Sequence, residues 1–218
     1  MVWKAYARSP GNVRRSETRP GENRAFHRTN HNASAIVRVE MPIPYDDAHR
    51  IFTSEKRLLK PLRWESVAKN NDKTALLRRL EARVQIDAGV PRGVFFRLMV
   101  HPGSLTNVTF QLDCDLSTGR TNIALYRFEL NPIRPHSNKL YGPDEINGAF
   151  IGAGVPHEHL FYDSLCSDGS LRRRTDQQAR IVEDPPEDFP TALEFVCRRI
   201  NITNGTDVPN PGGQGLLL

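Results

Sequence analysis

The chain has 218 residues, 38% of them hydrophobic and 25% charged, which allows one compact domain with a sizeable core plus tails. Its formal net charge is +5 and its pI about 9.3, and no apolar run approaches the roughly 18 residues of a membrane span. No apolar segment of a secretory signal follows Met1, and Cys114, Cys166 and Cys197 lack CxxC spacing, so a reducing, cytoplasmic setting is expected rather than a disulfide scaffold or a membrane.

The excess charge is concentrated at the start. Residues 1–31 hold seven basic and two acidic residues, whereas the remainder balances at 23 of each. The opening segment is punctuated by Pro, Gly, Asn and Ser and is nearly free of aliphatics, so residues 1–33 read as a flexible basic arm. Arg14 and Arg15 in that arm are candidate contacts to nucleic-acid phosphates or an acidic protein partner. Arg78 and Arg79 are further candidates, in a stretch from Arg50 to Arg83 with ten basic and four acidic residues. From His101 to Ser170 the balance reverses to four basic and eight acidic, which suggests an acidic pocket beside a positive surface.

Along residues 34–202, read as one domain, Ser34–Met41 alternates as a strand, and Pro42 and Pro44 end it. Tyr45–Leu59 reads as a helix, with Asp46 and Asp47 in its first turn and Pro61 stopping it. Asp72–Leu80 reads as a short helix capped by Asp72, and Ala82–Ile86 alternates again. Gly93–His101, Ser104–Leu116 and Thr121–Leu130 are strand-like and joined by short turn-rich segments, so an antiparallel meander is expected. In the third run Arg127 falls in phase with Ile123 and Leu125. Asn131–Pro156 has the length and composition of a functional loop. His157–Leu165 reads as a strand, Phe189–Arg199 as a helix, and residues 203–218 as a flexible tail. The fold class is therefore α+β: a mainly antiparallel sheet with two or three helices.

Chemistry concentrates in RPHSNKLYGPDEINGAFIGAGVPHEHLFYD. On a strand, His157 and His159 share a face because side chains alternate. Two imidazoles there suit Zn²⁺ or another divalent ion, with His136 as a third ligand. Glu158 and Asp163 are candidate bases, although Glu158 points to the opposite face of an ideal strand. Arg127 and Arg134 are candidate partners for phosphate. The same residue types also serve two other arrangements: a metal-free site whose imidazoles contact phosphate, and histidines that hydrogen-bond carbonyls to hold the loop down. No GxGxxG, GxxxxGK[ST], GxSxG or HExxH is present.

Two resemblances bear on this stretch. His157, His159, Asp163 and Gly169 resemble the first metal motif of cupins, but no histidine follows His159 to supply the second. Arg127, Glu129, Asn131, Pro135, His136, Asn138, Pro156, His157 and His159, with the closing Phe195–Ile202, resemble an uncharacterised bacterial and phage family with a PHxN…PHxH pattern. The likeness covers about the C-terminal half. It departs at Glu129, where the family has Asp, at Lys139, where it has Pro, and in a longer loop between the histidine elements. That resemblance implies no activity, only that these residues form one site. The expected function is that of a mobile-element-type protein whose histidine-centred metal site hydrolyses nucleic acid or another phosphate-bearing substrate. The alternatives are a non-catalytic module binding nucleic acid or protein, and a structural or inhibitory protein whose histidines staple the loop.

Overall fold

The computed structural model describes residues 43–69, 72–101, 106–114, 123–172 and 174–212. The arm, the Ser34–Met41 segment, Arg14 and Arg15 lie outside them. Among the described residues the fold is α+β, with two α-helices and an eight-stranded antiparallel sheet. No helix among the described residues is long and apolar enough to cross a membrane.

Helix α1 spans Tyr45–Thr53 and buries Ala48 and Ile51. It is shorter than the periodicity predicts, because Ser54 turns extended and Lys56–Leu58 leaves as strand β1. Lys56 explains the stop. Its side chain is fully buried, and Nζ donates to the carbonyls of Phe52 (2.8 Å), Ser54 (2.6 Å) and Ile200 (2.8 Å). The cation thereby takes up carbonyls that the helix end leaves without partners.

Strand β2 is Glu65–Lys69, and β3 runs from Asp72 to Ile86. The helix predicted at Asp72–Leu80 is thus strand. Helical propensity in ALLRRLEAR is overridden by ladders on both edges: β1 and β2 pair with one side of β3, and β4 (Val94–Val100) with the other. Leu80, Ala82, Val84 and Ile86 alternate into the core accordingly.

The predicted meander follows, with β5 at Val108–Cys114 and β6 at Ile123–Leu130. Beyond β6 lie β9 (His157–Leu160) and β10 (Arg180–Ile181). A register shift opposite Leu112/Asp113 leaves Leu125 as the extra residue of a bulge. The bulge reverses the phase of the strand. Tyr126, Phe128 and Leu130 therefore face the core, and Arg127 does not stay in phase with Ile123. The long loop after β6 is not patternless: β7 (His136–Ser137) and β8 (Phe150–Ile151) form a small antiparallel ribbon within it.

Both helices cover one face of the sheet. Phe52 of α1 packs on Tyr126 and Phe161, while α2, Phe189–Arg199 as predicted, sets Phe189 against Phe110 and Phe195 against Phe128. Asp188 caps α2 by accepting from the Thr191 amide at 2.9 Å. The segment after α2, read as tail, is held against the sheet at several points. Asn204 accepts from the Leu58 amide and donates back to its carbonyl, and the Trp64 indole donates to the Pro209 carbonyl at 2.7 Å.

The other face is polar. Register aligns Glu81, Arg97, Gln111, Arg127 and His159 as one cross-strand row over five strands. Beside it run Arg79, Met99, Thr109, Glu129 and His157. Alternation thus separates a helix-covered apolar core from a charged face, and the histidines stand on the charged side.

Candidate metal centre

The strand period sets the first two ligands. His157 and His159 project from the same face of β9, opposite Glu129 and Arg127 of β6, and both are buried. The β7–β8 ribbon brings His136 over them. Ring centroids are 5.5 Å apart for His136–His157, 4.9 Å for His136–His159 and 5.1 Å for His157–His159. One ring nitrogen from each lies within 4.8 Å of the other two.

Local hydrogen bonds aim the rings. His157 Nδ1 lies 2.9 Å from the Val155 carbonyl, and His159 Nδ1 lies 2.9 Å from the Gln178 carbonyl. A carbonyl only accepts, so each Nδ1 carries the proton and each Nε2 keeps its lone pair. The Nε2 atoms of His159 and His136 are buried and have no hydrogen-bond partner among the described residues. Outer-shell carbonyls that fix the tautomer, with bare nitrogens turned inward, are the arrangement of a metal-binding imidazole set.

Burial, reinforced for His159 by Arg127 and the neighbouring rings, holds its pKa well below the usual histidine value. Burial and His157 lower that of His136, which is half-buried. Both effects keep the rings in the neutral form that binds metal. They also predict acid sensitivity in the metal-free protein. The unfolded imidazoles take up protons near pH 6.5, above the folded values, so stability falls as pH drops through that range. Urea midpoints should therefore decrease between pH 7.5 and 5.5; an unchanged midpoint contradicts this reading.

Asn138 fixes the ribbon. Its amide donates to the carbonyls of Ile146 (2.8 Å) and Ala179 (2.9 Å), and its oxygen accepts from the Ala179 amide at 2.8 Å. Gln178 reinforces it by donating to the Lys139 carbonyl at 3.0 Å. Gly142 has a φ of +114°, and a Cβ there would stand 2.8 Å from the Asp163 carbonyl, so the loop closes only with glycine.

The cluster opens into a pocket of about 700 Å³. Arg127 and Arg134, both expected near phosphate, line it together with Lys139 and Arg174; Glu129 and Asp176 are its carboxylates. Cations outnumber carboxylates, so the acidic pocket suggested by local composition is corrected. The two acids of that stretch predicted as bases are paired elsewhere. Glu158 points to the helix side and receives Arg199 at 2.6 and 3.1 Å. Asp163 is buried beneath Arg180 in a bidentate pair at 2.7 and 2.8 Å, because β9 ends at Leu160 and a 3₁₀ turn swings Asp163 away. Neither predicted base lines the pocket.

The carboxylate that does face the cluster is Glu129. Its Oε1 lies 3.8 Å from His159 Nε2 and 2.5 Å from Arg127 Nη2. The resemblance to the PHxN…PHxH pattern includes Glu129, but its facing the histidines follows from its place opposite His157 in the ladder. Arg79 pairs with Glu65 at 3.7 Å, and Arg78 lies over the Trp64 ring at 5.9 Å, both away from the pocket.

No protein-family profile, curated protein or solved structure matches the chain.

Proposed function

We propose that the chain is a divalent-metal-dependent hydrolase of phosphate-bearing substrates, nucleic acids among them. The observation that carries this reading is the convergence of His136, His157 and His159, the first and last with buried Nε2 atoms that have no hydrogen-bond partner among the described residues, in the lining of a pocket that also holds four cations. Three imidazoles with an open position are a catalytic rather than a closed structural ligand set. A Zn²⁺-class ion held there would lower the pKa of a bound water to about 7 and so supply hydroxide near neutral pH. Arg127, Arg134, Lys139 and Arg174 would bind the phosphoryl oxygens and offset charge as water attacks phosphorus and the ester P–O bond breaks.

A purely non-catalytic nucleic-acid module has less support, since Arg78 and Arg79 are engaged with Trp64 and Glu65. The test is turnover of bis(p-nitrophenyl) phosphate, p-nitrophenyl phosphate and a single-stranded oligonucleotide by the full chain supplied with Zn²⁺ or Mn²⁺. Chelator-sensitive release, reduced at least about 100-fold by His157→Ala, is expected for loss of a ligand. No turnover on any of the three, or turnover surviving both chelation and His157→Ala, would count against the reading.

A further inference from the structure

We propose that Arg127 is an exchangeable cation that couples oxyanion binding to metal binding, by releasing Glu129 to become a fourth ligand. The inference rests on the metal-centre reading above and adds to it a communication between the two sites. One carboxylate oxygen stands at the junction. Glu129 Oε1 is 2.5 Å from Arg127 Nη2 on one side and 3.8 Å from His159 Nε2 on the other. The second distance is too long for a hydrogen bond, so the oxygen faces the cluster while its bond is made to the guanidinium.

The backbone enforces this placement. Arg127 and Glu129 are one strand period apart on the charged face of β6, directly across from His159 and His157. Arg127 also has a loosely held end, with Nη1 3.8 Å from Asp176 Oδ2, and Asp176 is shared with Arg174 at 3.3 Å. A guanidinium so placed meets any phosphate-type oxyanion entering the pocket and offers it a two-pronged fork. Arg134, Lys139 and Arg174 draw the anion toward the same space.

When Arg127 turns to the anion, Glu129 loses its partner beside three imidazoles that leave a coordination position open. Carboxylate oxygen is an ordinary ligand for the divalent ions that histidine binds. The anion then tightens metal binding, and by thermodynamic reciprocity the metal tightens anion binding by the same factor.

The experiment is titration of the full chain with Co²⁺, followed by its visible absorption, without and with saturating phenylphosphonate. In the wild-type protein the anion is expected to raise Co²⁺ affinity by roughly fivefold or more. Glu129→Gln should abolish that enhancement. Arg127→Met should raise affinity in anion-free buffer and leave nothing further for phenylphosphonate to add. Equal wild-type affinities with and without the anion would overturn the inference. So would an enhancement that persists undiminished in Glu129→Gln, because direct contact between anion and metal would then account for it. If Co²⁺ fails to bind the wild-type chain, the metal centre itself is refuted; binding without coupling refutes the exchange alone. Should Arg127→Met not fold by near-ultraviolet circular dichroism, the wild-type and Glu129→Gln comparison decides.

Discussion

Replacing His159 with alanine is expected to weaken divalent-metal binding by more than about 100-fold, beyond the 10–100-fold typical of outer-shell partners. His159 is buried and held in place at one ring nitrogen. It is 3% exposed, its Nδ1 is fixed by the Gln178 carbonyl, and its Nε2 has no hydrogen-bond partner among the described residues. A bare buried nitrogen is a standing cost to the metal-free protein, because the group was taken out of water without compensation. Removing the ring removes that cost, but it also leaves the Gln178 carbonyl without its donor and opens a small void. The two effects oppose each other, so metal-free stability should change by less than about 2 kcal/mol. Calorimetric titration with Zn²⁺ and urea denaturation of the metal-free variant check the two halves separately. Near-wild-type metal affinity would show that the cluster is not the ligand set.

A second large effect is expected far from the pocket. Lys56→Met should destabilise the protein by about 3 kcal/mol, since a buried carbonyl, that of Ile200, and two partly buried ones would lose one charged donor. Phe52 and Ile200 stand at the C-terminal ends of α1 and α2, where a cation also complements the negative ends of the helix dipoles. Burial pulls the Lys56 pKa down to about 8, which still leaves the ammonium protonated at neutral pH. The backbone of the same residue bonds to Asn201 and Thr203, so it joins both helices and the segment following α2 to the sheet edge. Lys60→Met is the control: that side chain is largely exposed, and its loss should shift stability by no more than about 0.5 kcal/mol. A cost below about 1 kcal/mol for Lys56→Met would mean that water or repacking satisfies the three carbonyls.

Sequence legibility divides along local and non-local lines. Helix α2 was readable to the residue because its cap, its Pro at the start and its apolar stripe all lie within the segment. The meander was readable because short turns force adjacent strands together. Strand β3 was not, since its residues favour helix and it is held extended by β1 and β2 on one side and β4 on the other. The early stop of α1 depends on the Ile200 carbonyl, 144 positions from Lys56 in sequence, and no local pattern encodes that bond.

The site shows the same division. His157 and His159 were placed together by the two-residue period alone, and the opposite orientation of Glu158 followed from the same rule. That the acid there is neutralised by Arg199 required the tertiary structure. His136 was singled out as residue type and spacing, while its approach to the pair depends on the β7–β8 ribbon and on Asn138. Glu129 was named only through the family resemblance, and its orientation and that of Arg127 were hidden by the bulge at Leu125, which turns an unbroken alternation into two half-strands of opposite phase. Lys139 and Arg174 reach the pocket from irregular segments that carry no periodic signal.

The most direct test of the metal centre is Zn²⁺ binding by the purified, chelator-stripped full chain, read by calorimetry together with thermal unfolding. One ion bound per chain is expected, with unfolding stabilised by about 2.7 kcal/mol when free Zn²⁺ stands a hundredfold above its Kd. Simultaneous alanine replacement of His136, His157 and His159 should abolish both signals. Absence of saturable binding in the wild-type chain, or the same binding and stabilisation in the triple variant, would contradict a metal centre at this cluster.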